Sequence, residues 1–283
     1  MPQDRRVAIV VDDETLHIEV RLIDGPATAP LMVFLHEGLG SVAMWKDFPE
    51  RLCAESSFRG LVYSRPGYGN STPRAPDAKW VPDFMHRQAQ RVLPALLAAL
   101  DIVDPPWLFG HSDGGSIALI HAASFPTQVA GVVVMAPHLD VEQLGIDSIA
   151  VAREAYLHGT LRERLARHHA DVDSAFWGWN DIWLAPAFRD WNIRELLSRI
   201  TCPVLAIQGV DDEYGTMAHI DGIADVVPGT VLVKLDECGH SPHRDQTAAV
   251  IAATVHFVRA QRHEGSIEAA RQSNDKTIDE ETT

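Results

Sequence analysis

The sequence predicts an α/β fold with a mostly parallel central sheet flanked by helices, and three observations carry that prediction. Short apolar runs such as PLMVFLHEG, PPWLFGHS and VAGVVVMAP end in glycine or turn residues, as strands buried on both faces do. Segments with helical spacing alternate with these runs, which implies parallel strands joined by crossover helices. One interval, residues 139–200, breaks the rhythm with helical patterns and no convincing strand.

Taken in order, RVAIVVDD and TLHIEVRLID form an antiparallel hairpin about a short polar turn. PLMVFLHEG and GLVYSRPGYGNS are the first two core strands. FMHRQAQRVLPALLAALD has helical spacing, with Pro94 marking a kink or the meeting of two helices. PPWLFGHS is the third core strand, followed by the helix GGSIALIHAASFP, which a proline ends. VAGVVVMAP, CPVLAIQG and TVLVKLDE are the fourth to sixth core strands, and QTAAVIAATVHFVRAQ is a closing amphipathic helix. The core thus comes in two parts, residues 1–138 and 201–262, with residues 139–200 inserted after the sixth strand of the sheet as a helical cap. Residues 263–283 are polar and acidic, the composition of a disordered tail.

A chain of 283 residues fits a single α/β unit, and 46% hydrophobic residues suffice for a sizeable core. A net charge of −15 argues against sequence-independent binding to nucleic acid or to an anionic membrane. The opening MPQDRR leads into no apolar signal segment, and no apolar stretch approaches the ~18 residues of a membrane helix. A cytoplasmic protein with no membrane partner is therefore expected. Cys53, Cys202 and Cys238 are too few and too scattered for a disulfide framework. Cys238 lies two residues before His240 and can line a site without acting in it. No acidic or thiolate cluster at metal spacing accompanies the pair in HSPH, so neither metal nor cofactor is expected.

The chemistry is carried by WLFGHSDGGSIALIHAA. Gly110-His111-Ser112-Asp113-Gly114 is G-x-S-x-G between a strand and a helix. The glycines permit a sharp turn that lifts Ser112 Oγ above the sheet, at a helix N-terminus whose free N–H groups favour developing negative charge. A serine hydroxyl is a poor nucleophile unless a histidine takes its proton, and that histidine needs a carboxylate to orient it. With the order serine, acid, histidine, IQGVDDEYGT offers Asp211 or Asp212, and DECGHSPH offers His240 or His243. Both loops follow core strands and so reach the sheet edge where Ser112 stands.

From the first hairpin to the last helix the sequence resembles the α/β-hydrolase superfamily, and the resemblance implies the α/β-hydrolase fold with a helical cap. The superfamily's G-x-x-D loop matches Gly209-Val210-Asp211-Asp212 and implies Asp212 as the triad acid; its G-H motif matches Gly239-His240 and implies His240 as the base. Two oxyanion donors are required. One is the backbone N–H of Asp113, and the other comes from HEGLGS, which is similar to the superfamily's H-G-x-G loop. Glu37 stands there in place of the usual glycine, leaving Gly38 or Leu39 as the donor. His36 stiffens this loop, while Glu37 either touches substrate or braces it. SRPGYGNS resembles the turn D-x-R-G-x-G-x-S, with Ser64 replacing aspartate and Pro66 added. SDGG is also similar to the elbow of the valacyclovir-hydrolase type, in which a carboxylate beside the nucleophile can meet a cationic group. The Asp113 side chain then either holds an amine or hydrogen-bonds within the first helical turn.

In the cap, AFWGWNDIWL and FRDW gather four of the seven tryptophans. Most such rings glue a cap to its core, but Trp177, Trp179 and Trp183 are candidates for an apolar or aromatic substrate wall. His138, directly after the fourth core strand, faces the same region. These residues imply a serine hydrolase that cleaves an ester, lactone, thioester or activated amide of a small-molecule substrate through an acyl-enzyme on Ser112. A serine nucleophile weighs against the dehalogenase and epoxide-hydrolase branches of the superfamily, which the resemblance associates with aspartate. Three other functions fit the fold: a carbon–carbon bond hydrolase of a ring-fission product, a ligand sensor with a slow triad, and a cofactor-free oxygenase. The first of these asks that Arg153, Arg162 or Arg189 meet a substrate carboxylate. Oligomeric state is not written in these patterns.

Overall fold

Asp12 and Asp13 both adopt positive φ, 51° and 65°, and turn the chain from β1 (Asp4–Val11) into β2 (Glu14–Ile23). Two successive left-handed residues match the twist of a tight hairpin, and aspartate tolerates that conformation better than most residues. This computed structural model describes residues 4–75 and 77–262, so the tail expected at residues 263–283 lies outside the described residues. Six further strands follow: β3 (Leu31–Leu35), β4 (Arg59–Tyr63), β5 (Trp107–His111), β6 (Gly131–Met135), β7 (Val204–Gly209) and β8 (Val231–Leu235). They form one sheet in the order β1-β2-β4-β3-β5-β6-β7-β8. β2 runs antiparallel to both its neighbours, and every pairing from β4 to β8 is parallel.

Strand periodicity divides the core between the two faces of the sheet. Val33, Leu35, Leu108 and Val134 face one side, under α2 (Phe84–Arg87), α3 (Leu93–Ala99), α4 (Asp113–Ser124) and the cap. Met32, Phe34, Phe109 and Met135 face the other, under α1 (Phe48–Ser56) and the closing helix, residues 247–262. α4 is buried from Asp113 to Ala123, which explains why its sequence is apolar on all sides. β8, expected as a core strand, is the half-exposed edge of the sheet, with Val231 open to solvent and Lys234 paired with Asp221. Pro94 stands where two helical segments, α2 and α3, meet. It takes the second position of α3, and the residues before it, Gln88–Val92, widen into a π turn, the local adjustment by which a helix accommodates the proline ring.

Between β6 and β7 the chain leaves the sheet for α5 (Gln143–His158), α6 (Leu161–Leu165) and α7 (Val172–Trp183), the helical interval expected there. Asp171 caps α7 by accepting the N–H of Ser174 at 2.8 Å. An isolated bridge between Asp140 and Asn192 closes the base of the excursion. α8 (Ala218–Val226) and the short α9 (Pro242–Asp245) complete the helices used below. No helix among the described residues is long and apolar enough to cross a membrane, and all three cysteines are free and buried.

The strand order positions the site. From β3 the chain moves to β4 on one side, then returns to lay β5 on the other. The loops leaving β3 and β5 therefore diverge and open a crevice at the C-terminal ends of the strands, where such sheets bind ligands.

Candidate active site

Ser112 sits at this crevice with φ 53° and ψ −120°, a conformation that costs a non-glycine residue roughly 1–3 kcal/mol and persists only where its surroundings enforce it. Its surroundings do so by close packing. A Cβ on Gly114 would lie 2.1 Å from the carbonyl oxygen of Leu35, and one on Gly110 would lie 2.3 Å from that of Gly114. Only glycine at both positions lets α4 start directly on top of β3 and β5. Ser112 N donates to Met135 O at 2.9 Å, and Ser112 O accepts from Gly115 and Ser116, which holds the turn from both sides.

The loops after β7 and β8 bring two partners to that hydroxyl. His240 Nε2 is 2.9 Å from Ser112 Oγ, and His240 Nδ1 is 2.8 Å from Asp212 Oδ1. Asp212 Oδ1 also accepts the N–H of Tyr214 at 2.9 Å, and its Oδ2 accepts from Gln208 at 3.2 Å. Burial pushes the Asp212 carboxyl up, but His240 and the Tyr214 N–H together hold it below the usual carboxylate range. An ionised Asp212 fixes the proton of the ring on Nδ1 and leaves Nε2 free to accept from Ser112. The other two residues the sequence offered stand elsewhere: Asp211 is exposed, and His243 is buried against Trp45 and Phe48 with its ring 4.9 Å from that of His111.

The loop after β3 lies opposite. His36 Nδ1 donates to Glu37 O at 2.6 Å and its Nε2 accepts the Arg65 N–H at 3.0 Å, so both ring nitrogens are spent on bracing. Burial, seconded by Arg65, keeps this ring neutral. Glu37 O also accepts from Arg65 Nη2 and from the N–H of Gly40. Among the described residues the N–H groups of Gly38, Leu39 and Asp113 have no hydrogen-bond partner, and all three residues border the cavity above Ser112. The Glu37 side chain points to His111 at 3.5 Å and Arg244 at 3.3 Å. Burial raises its carboxyl, yet His111 and Arg244 more than offset this and keep it ionised. Ser64 replaces the aspartate of the superfamily's turn, and Glu19 supplies the missing carboxylate. Ser64 Oγ donates to Glu19 Oε2 at 2.6 Å and accepts the N–H of Val42 at 2.9 Å.

The cavity measures about 240 Å³, and its apolar walls are Leu39, Ile149, Trp179, Trp183 and Tyr214. His138 lines it as well, held by Ser116 Oγ, which accepts its N–H at 3.0 Å and donates to its carbonyl at 2.7 Å. Burial drives the His138 ring well below its ordinary pKa, so it is a neutral imidazole. Trp177, expected in the same wall, lies elsewhere. It borders a separate groove with Arg74 and Trp80, under the Arg153 guanidinium at 5.4 Å, because two residues along α7 from Trp179 is nearly the opposite face. The Asp113 side chain is not open to an amine: one oxygen accepts from Trp183 Nε1 at 3.2 Å and the other faces the fully buried Arg65 at 3.4 Å. Burial pushes its carboxyl up despite these partners. Among the described residues no lysine or arginine borders the cavity, whereas Glu37, Asp113 and Glu213 do. Arg162 pairs with Asp173 and Arg189 bonds Gln143. Tyr214, Glu213 and Ile149 border the cavity without having been singled out from the sequence. The first two directly follow Asp212, and that adjacency was a usable signal.

A parallel α/β sheet with a strained serine at the switch point, a histidine and a carboxylate in series, and a helical excursion above them defines the class of architecture. The profile of the alpha/beta hydrolase family matches residues 32–253, and the chain belongs to that family. It is 24% identical over 278 residues to the sn-1-specific diacylglycerol lipase ABHD11 of Mus musculus, covering 87% of each chain. It is 28% identical over 215 residues to Serine hydrolase BPHL of Mus musculus, covering 70% of this chain and 69% of that one. Among solved structures, a thermophilic esterase from Thermogutta terrifontis shares the fold with a TM-score of 0.71 at 20% identity, over 92% of this chain and 99% of that chain.

Proposed function

We propose that this chain is a serine hydrolase that cleaves a carboxylic ester-type bond of a small, uncharged, apolar or aromatic substrate. The observation that carries the proposal is the unbroken series Ser112 Oγ, His240 and Asp212, with both contacts under 3 Å. Ser112 attacks the carbonyl carbon while His240 Nε2 takes its proton, and the ring then gives that proton to the departing alcohol. Water attacks the resulting acyl-serine, with His240 again as base, releasing the acid and restoring Ser112. The free N–H of Asp113 and that of Gly38 or Leu39 are the donors for the negative oxygen of each tetrahedral intermediate. Asp113 thus contributes through its backbone. The lipase, esterase and serine hydrolase named among the similar proteins point the same way.

The walls favour an apolar acyl group, with the neutral His138 as a polar contact for it. Glu37 and Glu213 at the cavity, with no lysine or arginine bordering it among the described residues, disfavour an anionic substrate, which weighs against carbon–carbon cleavage of a ring-fission acid. The test is steady-state release of p-nitrophenol from acetyl, butyryl, octanoyl and benzoyl esters. Repeated turnover by the wild type that disappears in a folded Ser112→Ala variant is the expected result. A wild type that releases nothing, or an active Ser112→Ala, overturns the proposal.

A further inference from the structure

The cap touches the loop after β3 through one polar side chain that the sequence did not single out. His169 lies between α6 and α7 and is buried. Its Nδ1 accepts the N–H of Gly69 at 2.9 Å, and its Nε2 is 2.9 Å from the carbonyl oxygen of Leu39. The backbone N–H can only donate, so Nδ1 carries no proton and Nε2 must be the donor to Leu39. The ring is therefore neutral and of one tautomer, with burial opposing any second proton. Beside it Ala170 N donates to Gly69 O at 2.8 Å, so cap and core grip each other reciprocally at Gly69. Gly69 in turn belongs to the turn that Ser64, Ser71, Asn70 and Glu19 lock together.

The Leu39 arm has a different meaning from the Gly69 arm. Gly38 and Leu39 carry the unpaired N–H groups, and their segment is pinned at both ends. At one end Glu37 O is held by His36, Arg65 and Gly40; at the other, among the described residues, Leu39 O is held by His169 alone. We propose that His169 is a positioning residue, a cap side chain that orients the Gly38–Leu39 donors through the Leu39 carbonyl and so makes the seating of the cap a condition of rapid acyl transfer. The proposal rests on the serine hydrolase function above. The reaction is then slow with the cap unseated, because the Leu39 carbonyl loses the hydrogen bond from His169, and the Gly40 N–H, spent on Glu37 O, does not replace it.

Two substitutions separate the arms. In His169→Gln the amide nitrogen reaches the place of Nε2 and keeps the Leu39 bond; in His169→Asn the amide oxygen reaches the place of Nδ1 and keeps only the Gly69 bond. With p-nitrophenyl butyrate, His169→Asn should lose about ten-fold in kcat with KM changed less than about two-fold, a fraction of the loss on deleting a donor outright. His169→Gln should stay near the wild type in kcat. If the Asn variant does not fold, His169→Phe keeps the ring contact with Tyr68, whose centroid lies 6.2 Å from that of His169, removes both arms, and should show the same kcat loss. Wild-type kcat in His169→Asn, equal kcat loss in both amide variants, or a change confined to KM overturns the proposal. An active Ser112→Ala would instead sink the hydrolase function itself; an inactive Ser112→Ala beside a fully active His169→Asn sinks only the role of His169.

Discussion

Gly38→Ala is the substitution whose cost follows most directly from the close approach of Trp179 to this glycine. A Cβ at position 38 would stand 2.2 Å from Trp179 Nε1 and 2.3 Å from its Cδ1. Ordinary contact between such atoms is about 3.5–4.0 Å, so roughly 1.3 Å of movement is needed. Neither side yields easily. The Gly38 segment is held through the Glu37 and Leu39 carbonyls, and the Trp179 indole is buried in α7 beside Phe176. A displacement of about 1 Å at positioning groups can cost about 100-fold in rate. kcat/KM for p-nitrophenyl butyrate should therefore fall about 100-fold, or about 2.7 kcal/mol of transition-state stabilisation, with circular dichroism unchanged. The double variant Gly38→Ala/Trp179→Ala removes the colliding ring and should recover most of kcat, at the expense of KM because a cavity wall is gone. A folded Gly38→Ala with kcat/KM within about three-fold of the wild type would refute the close-packing account, and so would a double variant no better than the single.

Two other substitutions of condition or residue test neighbouring parts of the site. Asp212→Asn should lower kcat by about 10⁴-fold while the fold persists, because an amide no longer enforces the proton on His240 Nδ1; initial rates across pH would show it, and a loss under about ten-fold would contradict the role given to the carboxylate. Burial holds His36, His121, His138, His169 and His243 below the ordinary histidine value of 6.5, so the folded chain leaves them neutral where the unfolded chain binds protons. Stability is then complete above that value and falls as pH drops through it, by at most about 1.4 kcal/mol per pH unit for each histidine. Urea midpoints at about pH 7.5 and about pH 5.5 should differ, with the acid one lower, and equal midpoints would contradict the neutral rings.

The sheet was legible because buried strands announce themselves as apolar runs with glycine at the exit, and the elbow because its glycines are forced by contact with β3 and β5. Asp212 and Asp211 were separable only through the superfamily's G-x-x-D spacing; burial and the Tyr214 N–H give the physical ground for that choice. Trp177 misled because tryptophan type was read without helical phase: Trp179 and Trp183, four apart, share a face that Trp177 does not. Arg65 and His169 were invisible for another reason. Their partners lie 48 and 130 residues away, at Asp113 and Leu39, and no local pattern records such a pairing. Glu19, which replaces the absent aspartate of the β4 turn, is 45 residues from Ser64 and equally silent in sequence.

The central claim is that Ser112 is a nucleophile activated by His240, and covalent trapping tests it without knowledge of the natural substrate. The chain is treated with a fluorophosphonate and the adduct mapped by peptide mass spectrometry. One adduct per chain, on Ser112, formed at least about 100-fold more slowly in His240→Ala, is the predicted result. Labelling on another residue, labelling of Ser112 at an unchanged rate in His240→Ala, or no adduct on folded wild-type chain would contradict it.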